Sequence, residues 1–405
     1  MKSRPLNILC VSRYFKGSDM MKTLHLDGHK VYLVTITKLK DNPWPYDCIE
    51  EAYYLEENEE GKWNNDYLIE GMAYKMRTTK FDIFISLDDF DVENAALLRE
   101  YFRIPGMGET TARYFRDKLA MRKKAREEGI PIPDFSDLFN DDDIHVFAEK
   151  VSPPWLIKPR GQASATGIQK IHSKEELWQA LDKLGNNRHK FLIEKFAPGS
   201  VFHVDSLTFQ GKIVFSVVSK YLDTPFEVAH SGGIFRSVTL EKGNPDEVAL
   251  QKLNQKVMNA FGMEYSASHT EFIKGNEDGK YYFLETSSRV GGAHLSDMIE
   301  AATGINLWTE WAKIEVCTFL KKQYKLPKLQ NKFGGIVVSL SRFEHPDTSS
   351  FTDKEIVWRL KKKHHIGFIV TSSDKEKIKE LLDTYVERIK NEFHASMPAP
   401  DRPAN

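Results

Sequence analysis

Cysteine is scarce in this sequence: Cys10, Cys48 and Cys317 are the only three among 405 residues, and no two form a Cys-x-x-Cys pair. A disulfide framework or a zinc knuckle is therefore not expected, and a reducing cytoplasm suits the chain. No apolar run approaches the roughly 18 residues that a membrane-spanning helix needs, so no membrane partner is expected. The formal net charge of −1 provides no overall attraction for nucleic acid.

The first 110 residues alternate between strands and helices. Apolar runs predict β-strands at 6–12, 30–36 and 81–87, and helices are predicted at 18–27 and 91–102. Strands that are apolar on both faces are typical of a parallel sheet covered by helices. We therefore predict an α/β fold class with a doubly wound parallel-sheet domain in this region.

Beyond residue 110 the strands no longer alternate regularly with helices. Asp117 is the expected N-cap of a helix that runs to Glu128, where Gly129 and an Ile-Pro-Ile-Pro segment end it. Segments rich in β-branched and aromatic residues predict strands at 155–159, 167–171, 191–196, 201–209, 212–221, 267–274, 280–286, 334–343 and 366–372. Further helices are predicted at 175–184, 247–262, 305–321 and 374–393.

The segment 270–294, TEFIKGNEDGKYYFLETSSRVGGAH, contains two strands around a Gly-Asn-Glu-Asp-Gly turn. The strands should pair as an antiparallel hairpin, which would bring Glu271 and Glu285 close together across the pair. Two converging carboxylates form a hard-oxygen site that suits magnesium held with nucleotide phosphates. Arg289 follows four residues after Glu285. A glutamate pair in a hairpin is more often a solvated edge, so this segment alone leaves both interpretations open.

Two other segments favour a nucleotide. The sequence IKPRGQASATGI (157–168) places Lys158 on a strand before a loop of small residues, whose backbone N–H groups could face phosphates. It is not a P-loop, because no Gly-Lys-Ser/Thr closes it. The sequence FLIEKFAPG (191–199) is an apolar strand whose backbone could contact the edge of an adenine ring.

Taken in order, these segments resemble the ATP-grasp superfamily, and within it carboxylate–amine ligases of the L-amino-acid ligase and biotin carboxylase type. The resemblance covers residues 111–315. It implies an ATP-dependent enzyme that forms an amide bond through an acyl phosphate, with ATP and Mg²⁺, or Mn²⁺ in its place. It also implies a pre-ATP-grasp domain at 1–110, two antiparallel α+β lobes at 111–195 and 196–325, a C-terminal α+β subdomain at 326–395 and a disordered tail at 396–405.

The resemblance also implies roles for individual residues. Phosphates would be contacted by Lys118, Lys158 and the loop residues Ser164 and Gly167, adenine by Glu194, Lys195 and Ala197, and ribose or phosphate by His203. Magnesium would be bound by Glu271, Glu285 and Ser287, while Arg289, with Lys158, would stabilise the transferred phosphoryl group. The family usually has Glu-x-Asn-x-Arg where this chain has Glu285-Thr-Ser287-Ser-Arg289, so the number of metal ions is left open. Val201 occupies the usual position of a ribose-binding glutamate.

The segment HSGGIFR (230–236) lies where the family holds carboxylate substrates. His230, Gly232, Gly233 and Arg236 are therefore predicted to bind the substrate carboxylate, and His269 and His294 are candidates to face substrate. Less specific alternatives exist for several of these residues. Lys118 could be a surface lysine, and His203 could be a strand histidine that packs against its neighbours. Asp88 and Asp89, which lie just past the predicted strand at 81–87, could cap the next helix. Arg236 could point to solvent.

Two other functions compete with the amide ligase. Bicarbonate could be the activated acid, as in biotin carboxylase, although no biotin-bearing lysine motif is found in the sequence. The chain could instead be a nucleotide-sensing protein without turnover. The predicted partners of the ligase are a small-molecule carboxylate and a small-molecule amine, and a homodimer is left open.

Overall fold

The computed structural model describes residues 4–59, 61–163 and 166–396, with the backbone alone at 229–231. Three sheets organise this part of the chain: a parallel sheet near the N-terminus and two antiparallel sheets after it. No helix among the described residues is long and apolar enough to cross a bilayer.

The N-terminal sheet has four parallel strands in the order β3-β2-β1-β4. Its elements are β1 (Asn7–Val11), α1 (Ser18–Leu26), β2 (Lys30–Ile36), β3 (Glu51–Leu55), α2 (Asn65–Met76), β4 (Ile83–Ser86) and α3 (Val92–Phe102), followed by α4 (Glu109–Arg113). The predicted parallel sheet is confirmed. The sequence analysis missed β3 and α2, because β3 is a half-buried edge strand and α2 buries only Leu68 and Met72.

The second sheet is antiparallel, with the order β5-β8-β6-β7. This small lobe consists of α5 (Lys118–Glu127), β5 (Phe135–Asp137), α6 (Asp141–Lys150), β6 (Trp155–Pro159), β7 (Gln169–Ile171), α7 (Lys174–Leu184) and β8 (Phe191–Lys195). Asp117 caps α5 as predicted, since its Oδ1 accepts from the backbone N–H of Leu119 at 2.9 Å. The cap places Lys118 in the first turn of the helix.

The third sheet has eight antiparallel strands in the order β13-β12-β9-β10-β11-β14-β16-β15. Its strands and helices are β9 (Gly199–Phe209), β10 (Lys212–Tyr221), α8 (Pro225–Ser231), β11 (Phe235–Thr239), α9 (Pro245–Ala260), β12 (Ser266–Gly275), β13 (Tyr281–Ser287), α10 (Leu295–Thr303), α11 (Leu307–Phe319), β14 (Phe333–Leu340), β15 (Ile356–Arg359), β16 (His365–Ser372) and α12 (Lys375–Glu392). We call β9–β13 and the helices between them the large lobe. The C-terminal strands β14–β16 extend the sheet of this lobe, so the predicted boundary at 325/326 does not separate two sheets. Of the predicted tail, residues 397–405 lie outside the described part.

The glycine segment at 230–236 is partly helical, which differs from the predicted loop. A capping box begins α8: the Thr224 hydroxyl accepts from the Glu227 backbone N–H at 3.2 Å, and the Glu227 carboxylate accepts in return from Thr224. This reciprocal cap favours a helix over 225–231. Gly232 ends the helix at φ +64°, in the left-handed region that glycine tolerates best. His230 therefore belongs to a helix, and its side chain lies outside the described residues.

Helix α11 joins the N-terminal domain to the large lobe. Trp311 is 2% exposed, and its helix packs against α1, where the hydroxyls of Thr23 and Thr309 lie 3.1 Å apart. Trp311, on the predicted helix at 305–321, therefore belongs to the core, and its helix forms a domain interface.

Candidate active site

A cavity of about 540 Å³ lies between the sheets of the small and large lobes and reaches the N-terminal domain. Many of the residues predicted from sequence line it: Lys118, Lys158, Glu194, Lys195, Ala197, Glu271, Glu285, Ser287 and Arg289. They come from α5, β6, β8, the segment that follows β8, β12 and the end of β13. The fold therefore assembles residues that are up to 171 positions apart in the chain, between Lys118 and Arg289.

The predicted hairpin is formed by β12 and β13, and Glu271 lies directly opposite Glu285 in its ladder. Side chains directly opposite on paired strands share one face, so both carboxylates face the cavity. Glu271 Oε1 accepts from the Tyr221 hydroxyl at 2.9 Å, and His269 Nε2 is 3.6 Å away. Burial opposes ionisation of Glu271, but the interactions with His269 and Tyr221 outweigh it and lower its pKa.

The oxygen atoms at this end of the cavity fit a hard divalent cation. The donors are two facing carboxylates and the hydroxyl of Ser287, which lies two residues after Glu285 on the same strand and so on the same face. Mg²⁺ prefers oxygen ligands and usually keeps one or two protein carboxylates together with phosphate oxygens. Glu271, Glu285 and Ser287 could therefore hold it.

Two lysines of the small lobe line the same cavity. Lys118 Nζ lies 2.6 Å from Glu285 Oε2 and donates to the Gln162 carbonyl at 2.7 Å. The Lys158 ammonium contacts the Glu194 carboxylate. Lys118 thereby connects the hairpin to the small-residue loop, of which Ser164 lies outside the described residues. Gly167 in the same loop adopts φ +72° between Thr166 and Ile168, which both line the cavity.

Glu194 lines the cavity, but its carboxylate is held by two cations. Its Oε2 accepts from Arg122 Nε at 3.1 Å and Nη2 at 2.9 Å, while its Oε1 contacts Lys158. Burial opposes ionisation, but Arg122 and Lys158 outweigh it and lower the pKa of Glu194 to about 2. The adenine contact predicted for this side chain would therefore compete with an ion-pair network. Sequence analysis missed Arg122, although it lies four residues after Lys118 on one face of α5.

Arg289 connects the hairpin to the N-terminal domain. Its Nη2 lies 2.5 Å from Asp89 Oδ2, and its Nη1 donates to the Val290 carbonyl at 2.9 Å. Burial opposes ionisation of Asp89, but the Arg289 charge outweighs it and holds the pKa of Asp89 well below its usual range. The neighbouring Asp88 acts as a cap, because its Oδ1 accepts from the Phe90 backbone N–H at 2.7 Å.

His203 does not reach the cavity, which corrects the predicted ribose contact. Its ring is fully buried, with Nδ1 2.6 Å from Asp205 Oδ2 and Nε2 2.7 Å from the Ser237 hydroxyl. Both ring nitrogens are therefore used inside the sheet. His269 lines the cavity instead, bonded to Asp205 at 2.8 Å. Burial alone would lower the pKa of His269, but the Asp205 carboxylate raises it to about 10.

Arg236 also lies outside the cavity, so the predicted carboxylate grip is not assembled there. Its Nε donates to Asp223 Oδ2 and its Nη1 to Asp383 Oδ1, each at 2.9 Å. The reason is the pleat of β11: neighbouring residues on a strand face opposite sides, and Phe235 takes the cavity side. Gly232 and Gly233 do not line the cavity either, because they only connect α8 to β11.

His294 lies at the rim of a different groove. Its Nδ1 is 2.8 Å from Asp297 Oδ2, and its ring packs on Trp358 of β15 with centroids 4.6 Å apart. The preceding residues Gly292 and Ala293 line the main cavity, whereas His294 does not. Its predicted contact with substrate is therefore not formed by this arrangement.

Comparison with known proteins agrees with the fold. Residues 151–297 match the sequence profile of the ATP-grasp domain, which spans the small-residue loop, the β12–β13 hairpin and Arg289. Residues 151–297 therefore resemble the ATP-grasp domain, as the motifs of this region predict.

The sequence relatives are named as ligases. The L-arginine-specific L-amino acid ligase of Bacillus subtilis is 31% identical over 247 residues, which cover 60% of this chain and 59% of that protein. The D-alanine–D-alanine ligase of Neisseria gonorrhoeae is 24% identical over 204 residues, which cover 49% of this chain and 66% of that protein. This chain thus matches about three-fifths to two-thirds of the length of these relatives.

Solved structures share the architecture over nearly the whole chain. The L-amino acid ligase from Bacillus licheniformis has a TM-score of 0.76 at 18% identity, covering 97% of this chain and 99% of that chain. The biotin carboxylase domain of the Hydrogenobacter thermophilus 2-oxoglutarate carboxylase has a TM-score of 0.71 at 16% identity, covering 97% and 91%. These likenesses establish the predicted α/β fold class.

Proposed function

We propose that this protein is an ATP-dependent carboxylate–amine ligase that forms an amide bond through an acyl phosphate and releases ADP and phosphate. The observation that carries the proposal is the cavity in which Lys118, Lys158 and Arg289 lie with the facing pair Glu271 and Glu285. An amino acid or dipeptide-like product is proposed, because the relatives are named as ligases that join amino acids.

The proposed roles follow from where each side chain lies. The ammonium groups of Lys118 and Lys158 would bind the ATP phosphates, and the chain at Lys195 and Ala197 would contact adenine. Glu271, Glu285 and Ser287 would hold Mg²⁺, or Mn²⁺, which when bound neutralises charge on the phosphates. Arg289 would stabilise the negative charge that spreads over the transferred phosphoryl group.

The proposed reaction has two steps. A carboxylate oxygen of the first substrate attacks the γ-phosphorus of ATP, the bond to the β–γ bridging oxygen breaks, and ADP leaves. The nitrogen of the amine then attacks the carbonyl carbon of the acyl phosphate, the carbon–oxygen bond to phosphate breaks, and the nitrogen loses a proton. The substrates are thus a small-molecule carboxylate and a small-molecule amine, and the cytoplasm is the proposed location for a chain with three unpaired cysteines.

A screen of substrate pairs tests the proposal. The full-length protein is incubated with ATP, Mg²⁺ and pairs drawn from the twenty L-amino acids, and ADP, phosphate and the condensed product are measured. We expect equimolar ADP, phosphate and amide. Phosphate release that requires bicarbonate and no amine would favour a biotin carboxylase-like reaction, and nucleotide binding without turnover for any pair would favour the sensing protein.

A further inference from the structure

A third arginine, besides Arg122 and Arg289, lies in the cavity where the N-terminal domain meets the lobes of the two antiparallel sheets. Arg116 lines the cavity and lies two residues before α5. Its guanidinium carbon is 4.2 Å from the centre of the Phe90 ring, and one of its Nη groups donates to the Gly161 carbonyl. The side chain is thus held from two sides, by an aromatic ring of the N-terminal domain and by the loop that follows β6.

The charge of Arg116 is not paired with a carboxylate in the described part of the chain. A guanidinium carries five N–H donors, and one backbone carbonyl accepts from this one. The nearby carboxylate of Asp89 bonds through Oδ2 to Arg289 at 2.5 Å, and the Arg116 charge acts on it without a direct ion pair. A half-buried guanidinium in a cavity, with most of its donors unused, is suited to a planar anion such as a carboxylate.

We propose that Arg116 binds the free carboxylate of the amine substrate, and that this substrate is therefore an amino acid rather than a simple amine. The inference rests on the proposed ligase function. The acid substrate loses its carboxylate when the acyl phosphate forms, whereas an amino acid that acts as acceptor keeps its own carboxylate throughout. That charge must be desolvated in the cavity, and it requires a cation beside the reacting centre. Arg116 lies next to the Asp89–Arg289 pair, on the side of the N-terminal domain.

The kinetic test compares acceptors that differ only in the carboxylate. The L-amino acid that supports the fastest phosphate release as acceptor is compared with its C-terminal amide. We expect the wild-type protein to prefer the amino acid by at least about tenfold in kcat/KM. Arg116→Met keeps an apolar stem on Phe90 but removes the charge, so it should raise KM for the amino acid alone and abolish the preference. Arg116→Lys should restore part of it.

The matched control is Arg113→Met. Arg113 is exposed, lies three residues before Arg116 in the chain, and is 3.9 Å from Glu93, which is long for an ion pair. This variant should keep the wild-type preference. If Arg116→Met raises KM for ATP as much as KM for the acceptor, Arg116 binds a phosphoryl group and the proposal is overturned. If the variant lowers kcat/KM equally for the amino acid and for its amide, Arg116 only positions the loop at Gly161, and the proposal is likewise overturned.

A binding measurement keeps the inference separate from turnover. Thermal midpoints are recorded with Mg²⁺, a non-hydrolysable ATP analogue, and each of the twenty L-amino acids or its amide. We expect at least one amino acid to stabilise the wild-type protein more than its amide does, and Arg116→Met to lose that difference. If this difference is found but no substrate pair is turned over, the proposed ligase function is refuted and the carboxylate site at Arg116 is supported. No difference between any amino acid and its amide would refute the site.

Discussion

At the scale of single residues, cations and carboxylates pair at the reacting end of the cavity. Lys118 lies 2.6 Å from Glu285, and Arg289 lies 2.5 Å from Asp89. Truncating one member of such a pair leaves the other charged and without its partner, which confuses catalysis with stability. Variants that keep the size of the side chain while removing its charge avoid a further loss of packing, and a parallel measurement of folding separates the two effects.

Glu285→Gln should abolish phosphate release while the protein stays folded. Glutamine keeps the shape of the side chain, but it is a poorer magnesium ligand because it carries no charge. We expect kcat to fall at least a hundredfold, with an unchanged circular dichroism spectrum. Glu277→Gln, in the exposed turn of the same hairpin, is the control and should keep wild-type turnover. More than about a tenth of wild-type turnover in Glu285→Gln would mean a loss under roughly 1.4 kcal/mol, too small for a metal ligand.

Lys158→Met should weaken the binding of ATP without weakening the binding of either cosubstrate. The Lys158 side chain is 11% exposed and faces the cavity beside Glu194, where its ammonium can reach phosphate oxygens. Calorimetric titration with a non-hydrolysable ATP analogue should show a dissociation constant at least about tenfold higher, or roughly 1.4 kcal/mol. Lys174→Met, on the exposed face of α7, should bind the analogue normally. Unchanged affinity in Lys158→Met would remove this lysine from the nucleotide site.

At the scale of elements, the β12–β13 hairpin was predictable because residues close together in the sequence determine it. The turn sequence set the pairing of β12 with β13, and the pairing alone placed Glu271 opposite Glu285. The cap at Asp117 was equally local. Short-range rules of turns and caps therefore placed the two facing glutamates on one hairpin and Lys118 at the start of α5, and all three residues line the cavity.

Other parts of the site depended on information that the sequence does not carry locally. On β11, a difference of one position decides that Phe235 faces the cavity and Arg236 does not. The pair Asp89–Arg289 joins residues 200 positions apart, which follow strands of two separate sheets. Periodicity predicts that a strand has two faces, but which face meets the cavity is set by the neighbouring sheet.

Helix α11 carries a buried carboxyl group that should make stability depend on pH. Burial raises the pKa of Glu315 from 4.5 to about 7, although Arg99 and a 2.8 Å hydrogen bond from Trp311 oppose the shift. Because the folded-state pKa is the higher one, the unfolded chain ionises first as pH rises from about 4.5. The folded state should therefore lose stability through pH 7, by roughly 3 kcal/mol at most from this group.

Glu315→Gln tests this dependence, because glutamine stays neutral and can still accept from Trp311. Urea unfolding midpoints at pH 5.5 and pH 8 should differ less in the variant than in the wild-type protein, and the variant should be the more stable one at pH 8. Glu264→Gln, on the exposed surface, should leave the pH dependence as it is. Identical pH dependence in Glu315→Gln and wild type would show that Glu315 titrates normally.

At the scale of the whole molecule, the N-terminal domain contributes directly to the cavity. Asp89 follows β4 of the parallel sheet, and its partner Arg289 follows β13 of the large lobe. Side chains of both residues are about nine-tenths buried. A buried ion pair between two domains couples their packing to the geometry of the site.

A double-mutant cycle measures this coupling. Asp89→Asn leaves Arg289 buried without its counter-charge and should lower the free energy of unfolding by about 3 kcal/mol. The double variant Asp89→Asn/Arg289→Met should lose less free energy of unfolding than the sum of the losses in the two single variants. We expect the difference, which is the coupling energy, to be at least about 1 kcal/mol in denaturant unfolding. The exposed pair Lys75–Glu51 is the control, for which Lys75→Met and Glu51→Gln should couple by less than about 1 kcal/mol. Additive effects at Asp89 and Arg289 would show that this ion pair does not couple the packing of the two domains.

The strand order of the large sheet has a consequence for synthesis on the ribosome. β11, which places Phe235 on the cavity wall, pairs with β14, so that Phe235 lies beside Val338 about one hundred residues later. Until β14 has emerged, the hydrogen-bonding edge of β11 has no partner, and an unpaired strand edge can join another chain. Nascent chains that stall between these strands should therefore aggregate or bind chaperones, even though every residue proposed to bind ATP has already been translated.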